Sequence, residues 1–443
     1  MPVAFFFRKA VAGAGLALAV AACQSNSSSE NQAATTAATP LTAGTWRGVL
    51  SAQGQEIPFL FDVATDGGKL TVTLRNGEER LKLDEISTAG DSTTIRLGVF
   101  DAALVVRADG ADKVKGTWVK YDGKEPYRVP FAAHRNTVSE DDLFFNDATK
   151  VTPIYGDLVR GATFRTEFRD SEGITYPAVA LIKQDTANGN RLVGTFLTST
   201  GDYRYLAGNL VYKADGEHIL LSTFDGSHGF LFDGKLAKPG NINNITGDFY
   251  AGKSGHETWT AVLDGNAKLP DANALAGMKP GQKKLDFKFP SVYEGGSVSP
   301  TDPKYKGKVV VVQILGSWCP NCMDETNFLA PWYEKNKQRG VEIIGLGYER
   351  TPDQKLASQK LLKMKQRLNV GYDLAVAGVA NKDSAANSLP QLAKVVAFPT
   401  TIFIDKKGEV RKIHTGFSGP GTGKYYQQET AEFEKTVASL LAE

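Results

Sequence analysis

The sequence predicts a multidomain protein: all-β units, barrel or sandwich-like, fill the N-terminal part, and an α/β domain closes the chain. Three observations predict it. A length of 443 residues exceeds what one ordinary domain holds. Between Leu41 and Asp264, short runs rich in β-branched and aromatic residues alternate with Gly and Asp turns, as in a β meander. Beyond Lys308 the pattern changes, and a continuous apolar run is followed by residues of helical composition.

Charge and cysteine content narrow the function classes. Fifty-one basic and 49 acidic residues leave a net charge of +2, which gives no reason to expect a nucleic-acid partner. Three cysteines are too few for a disulfide-stapled scaffold.

Residues 1–22 are expected to form a lipoprotein signal peptide. Arg8-Lys9 precede an apolar run from Ala10 to Ala22, too short to span a bilayer as a mature helix. Phe5-Phe6-Phe7 ahead of the charges is its one unusual feature. Val20-Ala21-Ala22-Cys23 resembles the lipobox of bacterial lipoproteins, which implies cleavage before Cys23 and a lipid on Cys23. A plain signal peptide with an incidental cysteine is the alternative. Lipidation is preferred because an unpaired exposed thiol is a liability in an oxidising space. Gln24 stands where the inner-membrane retention signal has Asp, so the expected place is the cell envelope, lipid-anchored and periplasm-facing, at the outer rather than the inner membrane. Residues 23–40 are rich in Ser, Thr, Ala and Asn and read as a flexible tether.

Residues 41–135 form the first expected β unit, with strands near Trp46–Leu50, Ile57–Val63, Lys69–Leu74, Thr94–Phe100, Leu104–Val106, Gly116–Tyr121 and Tyr127–Phe131. Turns fall at Asp66-Gly67-Gly68, Asn76-Gly77, Asp109-Gly110 and Asp122-Gly123. Residues 136–264 read as a second, related unit. Phe100-Asp101 recurs as Phe224-Asp225, and Gly116-Thr117-Trp118 as Gly247-Asp248-Phe249. The pattern leaves open whether the two are separate barrels or one larger sheet. Phe224-Asp225-Gly226-Ser227-His228-Gly229-Phe230 stands out: His228 or Asp225 could act catalytically, but a turn held by Asp and Gly is the preferred reading. Tyr203, Tyr205 and Phe230 are either exposed or core.

Residues 265–284, with Pro270 and Pro280, are a linker to the domain at 285–443. That domain is expected to open with a strand at Leu285–Pro290 and a loop at Tyr293–Lys306. Val309–Leu315 is bounded by Gly307 and Gly316 and reads as a strand buried on both faces. A helix follows, then a strand at Val341–Leu346, a helix at Asp353–Leu368, a strand at Tyr372–Ala377 and a helix at Ser384–Val395. A hairpin of Thr400–Asp405 and Val410–Thr415 comes next. Glu429–Leu441 closes as an amphipathic helix, with Phe433, Val437, Leu440 and Leu441 on one face.

Cys319-Pro320-Asn321-Cys322 sits where the buried strand turns into the helix. A cysteine attacks a disulfide only as thiolate, and unpaired N–H groups with the positive end of the macrodipole favour that anion at a helix start. Pro320 suits the first helical position. Cys322, three residues on, lies on the same face as Cys319, so one cysteine can attack and the other resolve. A structural disulfide or half a zinc site are the alternatives. Zinc needs more N or S ligands, and His134, His218, His228, His256 and His414 are not in ligand spacing with the pair. No metal or cofactor is expected.

With Lys308-Val309-Val310-Val311, Trp318-Cys319-Pro320-Asn321-Cys322, Glu325 and Phe398-Pro399-Thr400-Thr401-Ile402-Phe403-Ile404-Asp405, the segment from about Leu285 onward resembles thioredoxin-like domains of the TlpA/ResA type, relatives of the alkyl hydroperoxide reductase/thiol-specific antioxidant group. It covers somewhat over a third of the chain. The resemblance implies a thiol–disulfide oxidoreductase outside the cytoplasm that works as a reductase, with cysteine-containing extracytoplasmic proteins and a membrane thiol donor as partners. It implies a redox disulfide between Cys319 (attacking) and Cys322 (resolving). Phe398-Pro399 would be a cis-proline loop that pairs with the bound partner, and Trp318 would shield the thiols.

Two departures matter. Gln313 stands where thioredoxin has a buried Asp, so Glu325, three residues after Cys322, becomes the expected proton acceptor; a solvated helix carboxylate is the alternative. Val312 and Gly316 stand where a peroxiredoxin needs Pro and Thr, which disfavours the thiol peroxidase alternative. A third reading makes the β units a partner-binding lipoprotein scaffold with an accessory redox domain. Deletion of Leu41–Asp264 separates them, since an enzyme would keep disulfide turnover.

Overall fold

A computed structural model describes residues 40–121, 123, 125–135, 143–144, 154–187 and 191–443. The expected signal peptide, Cys23 and nearly all of the tether lie outside the described residues, as do Asp122 and the opening of the second β unit. No helix among the described residues is long and apolar enough to cross a membrane. The chain is multidomain, with N-terminal all-β units and a C-terminal thioredoxin-like α/β domain.

The first unit has strands β1 (Gly44–Ala52), β2 (Gln55–Asp66), β3 (Lys69–Asn76), β4 (Glu79–Leu83), β5 (Ile86–Ala89), β6 (Ser92–Arg96), β7 (Ala102–Ala108), β8 (Lys113–Lys120) and β9 (Tyr127–Arg135). Its sheet order is β4-β3-β2-β1-β9-β8-β7-β6-β5, so first and last strands pair and β4 and β5 are the edges. Alternate residues bury Trp46, Phe59, Phe61, Trp118 and Phe131.

The second unit opens with a short helix α1 (Gly156–Arg160). Its strands are β10 (Ala162–Arg169), β11 (Thr175–Asp185), β12 (Arg191–Thr198), β13 (Gly201–Asp202), β14 (Leu206–Lys213), β15 (Gly216–Phe224), β16 (Gly229–Lys238), β17 (Asn241–Ala251) and β18 (Gly255–Leu263). Here the same meander closes, because β10 pairs with β18 and β11 with β12. The two units are thus separate sheets, one open and one closed. The sequence repeats fall at equivalent places: Gly116–Trp118 and Gly247–Phe249 each lie on the penultimate strand. Gly208 marks a close approach of β14 to its neighbour β15, where a Cβ would stand 1.7 Å from the Leu220 carbonyl oxygen.

The units share a core. Phe224 belongs to the first unit's apolar cluster, with ring centroids 4.5 Å from Phe59 and 5.3 Å from Trp118. Both its backbone groups are satisfied by the Asn76 side chain. Tyr203 and Phe230 pack on the second unit's core.

The α/β domain follows two short strands, β19 (Phe289–Pro290) and β20 (Ser297–Val298). Its main strands are β21 (Val309–Leu315), β22 (Val341–Glu349), β23 (Asp373–Val379), β24 (Thr400–Ile404) and β25 (Val410–Thr415), in the order β23-β22-β21-β24-β25. The helices are α2 (Pro320–Asn336), α3 (Gln354–Arg367), α4 (Lys382–Ser388) and α5 (Lys424–Ala442). Every residue of β21 is buried. Val309, Val311 and Leu315 face α2, α3 and α5, while Val310, Val312 and Ile314 face the other core with Leu389 and Leu392.

Three expectations are corrected. The strand expected at Leu285–Pro290 shrinks to Phe289–Pro290, because only these residues meet a partner strand. The helix expected over Ser384–Val395 stops at Ser388, since Pro390 disfavours the helical region at Leu389. The strand expected at Thr94–Phe100 ends at Arg96. Val99 and Phe100 leave the sheet and pack against the α/β core.

Candidate active site

The site is built where β21 hands over to α2. Gly316 lets Trp318 fold back, since a Cβ there would lie 2.2 Å from Trp318 Nε1. Trp318 Nε1 donates to the Tyr348 carbonyl at 2.8 Å, and Arg350 lies over its ring. Ser317 is held by both its N–H and its hydroxyl on the buried Glu349, each at 2.8 Å. Two residues after Ser317, Cys319 is the N-cap of α2, with extended φ and ψ.

The capping acceptor is a sulfur. The Cys322 N–H, one of the donors a helix start leaves unpaired, points at Cys319 Sγ at 3.3 Å. The Cys319 thiol reaches the Phe398 carbonyl at 3.5 Å. No disulfide joins Cys319 and Cys322 in this arrangement. Cys319 is 6 % exposed and Cys322 fully buried. Burial first, then the neighbouring Cys319, push the Cys322 thiol well above its ordinary value, and Glu325 adds to the rise. The Phe398–Pro399 bond is cis, and the Pro399 carbonyl accepts from the Gly416 N–H at 2.9 Å. Trp318 and Phe398 meet edge-on at 5.6 Å.

Glu325 is 3 % exposed, which removes the solvated alternative. Gln313 donates to one carboxylate oxygen at 2.8 Å and Thr401 to the other. Tyr372 in turn donates to Gln313 Oε1 at 3.2 Å. Burial pushes the Glu325 carboxyl up to about 7, against the lowering effect of those two donors and of His414. Glu325 also lines a cavity of about 20 Å³ with Thr401, His414 and Glu429, room for one water. His414 Nε2 lies 2.7 Å from Glu429. Burial alone would lower the His414 pKa, but the Glu429 bond and charge outweigh it and hold it above its ordinary value.

Residues from the second β unit reach the same turn; sequence reasoning missed Asp202 and Arg204 and read the stretch holding Ser227 only as a turn. Arg204 Nη1 donates to the Pro320 carbonyl at 2.9 Å, Asn321 Nδ2 to the Asp202 carbonyl at 3.1 Å, and Ser227 Oγ to the Trp318 carbonyl at 3.1 Å. Arg204 is buried among Glu79, Asp225 and Asp324, the last at 2.6 Å. Asp225 does turn chemistry, accepting the N–H groups of Ser227 and His228 at 2.8 and 2.6 Å. Yet that turn also brings Ser227 onto the cysteine segment. Among the described residues, no group of three or more His, Cys, Asp or Glu side chains could hold a metal ion.

Residues 279–429 match the Redoxin family model, so the similarity falls on the α/β domain. Two curated relatives are each a "Thiol-disulfide oxidoreductase ResA". The Geobacillus kaustophilus protein is 30% identical over 112 residues, 25% of this chain and 57% of the relative. The Bacillus thuringiensis protein is 31% identical over 106 residues, 24% of this chain and 54% of the relative. The chain thus spans about half the length of these relatives. Among solved structures, a putative protein disulfide isomerase from Bacteroides thetaiotaomicron is 22% identical with a TM-score of 0.29, covering 38% of this chain and 93% of that one. A putative thiol:disulfide interchange protein DsbE from Chlorobium tepidum is 22% identical with a TM-score of 0.27, covering 35% and 98%.

Proposed function

We propose that this protein is an extracytoplasmic, lipid-anchored thiol–disulfide oxidoreductase that reduces disulfides of cysteine-containing proteins through Cys319 and Cys322. One observation carries the reading: a dithiol at a helix start, with the Cys322 N–H on Cys319 Sγ and a protonatable Glu325 in the core behind it. The Cys319 thiolate attacks one sulfur of the substrate disulfide, forming a mixed disulfide and releasing the other sulfur as thiolate. Cys322 then gives its proton to Glu325 and attacks Cys319 Sγ, and the second substrate sulfur leaves. The pair ends as a disulfide, and a membrane thiol donor returns the two electrons. Similarity to proteins named thiol-disulfide oxidoreductases supports the reaction type. The Met1–Cys23 pattern and the polar stretch behind it support the anchor.

Trapping in intact cells tests the reaction. Cys322→Ser should accumulate mixed disulfides through Cys319, and Cys319→Ser should abolish turnover. Equal trapping by both variants would overturn the assigned roles. The anchor is read from the mass of the mature chain. A lipid on Cys23 needs two or more acyl chains for stable binding, and Cys23→Ser should release the protein from membranes. A mass equal to the unmodified chain from Cys23 onward rules the anchor out.

A further inference from the structure

The cysteine turn is covered by protein from the second β unit. Backbone carbonyls on both sides of Cys319, those of Trp318 and Pro320, accept from Ser227 and Arg204. Residues 200–202 run between Asn321 on α2 and the segment Gly416–Gly419. A Cβ on Gly201 would come within 2.7 Å of Asn321 Nδ2, and one on Gly416 within 2.8 Å of the Thr200 backbone. Gly416 is the residue hydrogen-bonded to Pro399, and the Gly419 N–H donates to Asp202 Oδ2 at 2.6 Å. The β12–β14 connection therefore lies along both borders of the thiol, α2 and the cis-proline loop.

This connection is not a loosely draped loop. Arg204 has φ of 60, a region that a non-glycine residue occupies only when its surroundings hold it there. Asp202 Oδ1 accepts the Arg204 N–H at 2.5 Å, and the guanidinium sits among buried carboxylates from the first unit, the second unit and α2. The first unit braces the arrangement from the far side: Asp84 and Glu85 pair with Arg367, and Asp101 with Lys360, both cations on α3.

We propose that the second β unit is a cap over the dithiol, with Asp202, Arg204 and Ser227 as its latch, and that this cap decides which partners reach Cys319. In the latched arrangement a folded protein cannot bring a sulfur atom to Cys319, whereas a small reagent needs only a local fluctuation. What the cap selects among rests on the thiol–disulfide reading; the occlusion itself does not.

The test uses alkylation of the full chain, read by peptide mass at Cys319. N-ethylmaleimide is compared with a maleimide carried on a folded, cysteine-free protein. Lys394→Cys, at an exposed position of the α/β domain, supplies the internal reference. Relative to that reference thiol, the carrier should be disfavoured at Cys319 by on the order of a hundredfold, the product of about fivefold for each of the three latch side-chain hydrogen bonds, Asp202 with Gly419, Arg204 with Pro320 and Ser227 with Trp318. Asp202→Ala with Ser227→Ala should recover at least about tenfold of it. A carrier-to-small-reagent ratio at Cys319 equal to that at the reference thiol overturns the cap, and the Lys394→Cys chain with its latch intact decides this alone if the double latch variant does not fold. Because alkylation needs no disulfide turnover, a chain that shows the occlusion but reduces no disulfide would refute the proposed reaction and leave the cap standing.

Discussion

At the residue scale, Glu325 carries the most chemistry after the cysteines. It is a carboxylic acid inside a core, and burial outweighs the donors around it, which places its titration near 7. The groups facing it come from five elements: Cys322 on α2, Gln313 on β21, Thr401 on β24, His414 on β25 and Glu429 on α5. A base must be ionised to take the Cys322 proton, so the resolving step should speed up as pH rises through about 7 and then level. Glu325→Gln should remove that inflection and slow exchange at neutral pH by roughly ten- to a hundredfold. It should also bring the Cys322 pKa down, because the Glu325 charge is one of the causes holding it up.

The same shift makes a stability statement with an unusual sign. The folded carboxyl binds its proton more tightly than the unfolded one, so between about 4.5 and about 7 the folded state holds the extra proton and stability falls as pH rises. Above that window the ionised Glu325 costs about 3 kcal/mol. Glu325→Gln should therefore raise Tm above pH 7 more than it does below pH 4.5. The same Tm change on both sides of the window would contradict a buried, proton-binding Glu325.

At the element scale, what was legible in the sequence was local. Val309–Leu315 followed by Cys319-Pro320-Asn321-Cys322 specifies a buried strand, a sulfur N-cap and a proline-led helix within one stretch. Glu325 is legible through helical spacing, although its burial depends on β24, β25 and α5, which close over it. The turn at Asp225 is legible in its Asp and Gly residues, whereas the helix expected from Ser384 runs past Pro390 to Val395 and in fact stops at Ser388. Arg204 was not legible. It follows Tyr203 and precedes Tyr205 with no periodic pattern, and its partner Pro320 lies 116 residues away. Its carboxylates, Glu79, Asp225 and Asp324, come from three separate elements that meet only in the folded chain. Asp324 shows what such a meeting does: burial, with the charges of Asp202 and Glu79, pushes its carboxyl up to about 7 although Arg204 is 2.6 Å away. Burial likewise pushes the Asp202 carboxyl up, whereas at Asp225 burial is outweighed by His228 and Arg204 and the carboxyl lies below its ordinary value.

At the scale of the whole molecule, two β meanders and a thioredoxin-like domain are joined by a shared aromatic core and by the cluster around Arg204. The Redoxin similarity accounts for residues 279–429 only. The β units add a surface that meets the reactive turn, so access and chemistry are set by different parts of the chain. The chemistry depends on one claim, that Cys319 and Cys322 cycle between dithiol and disulfide. A redox titration of the full chain tests it most directly: equilibrate across thiol–disulfide buffer ratios, quench in acid, label free thiols and weigh the peptides. The account predicts that both labels are lost together in a single two-electron transition, about 30 mV per tenfold change in ratio, with an intramolecular Cys319–Cys322 disulfide as product. Loss of one label without the other, or two thiols that persist at every ratio, would contradict it.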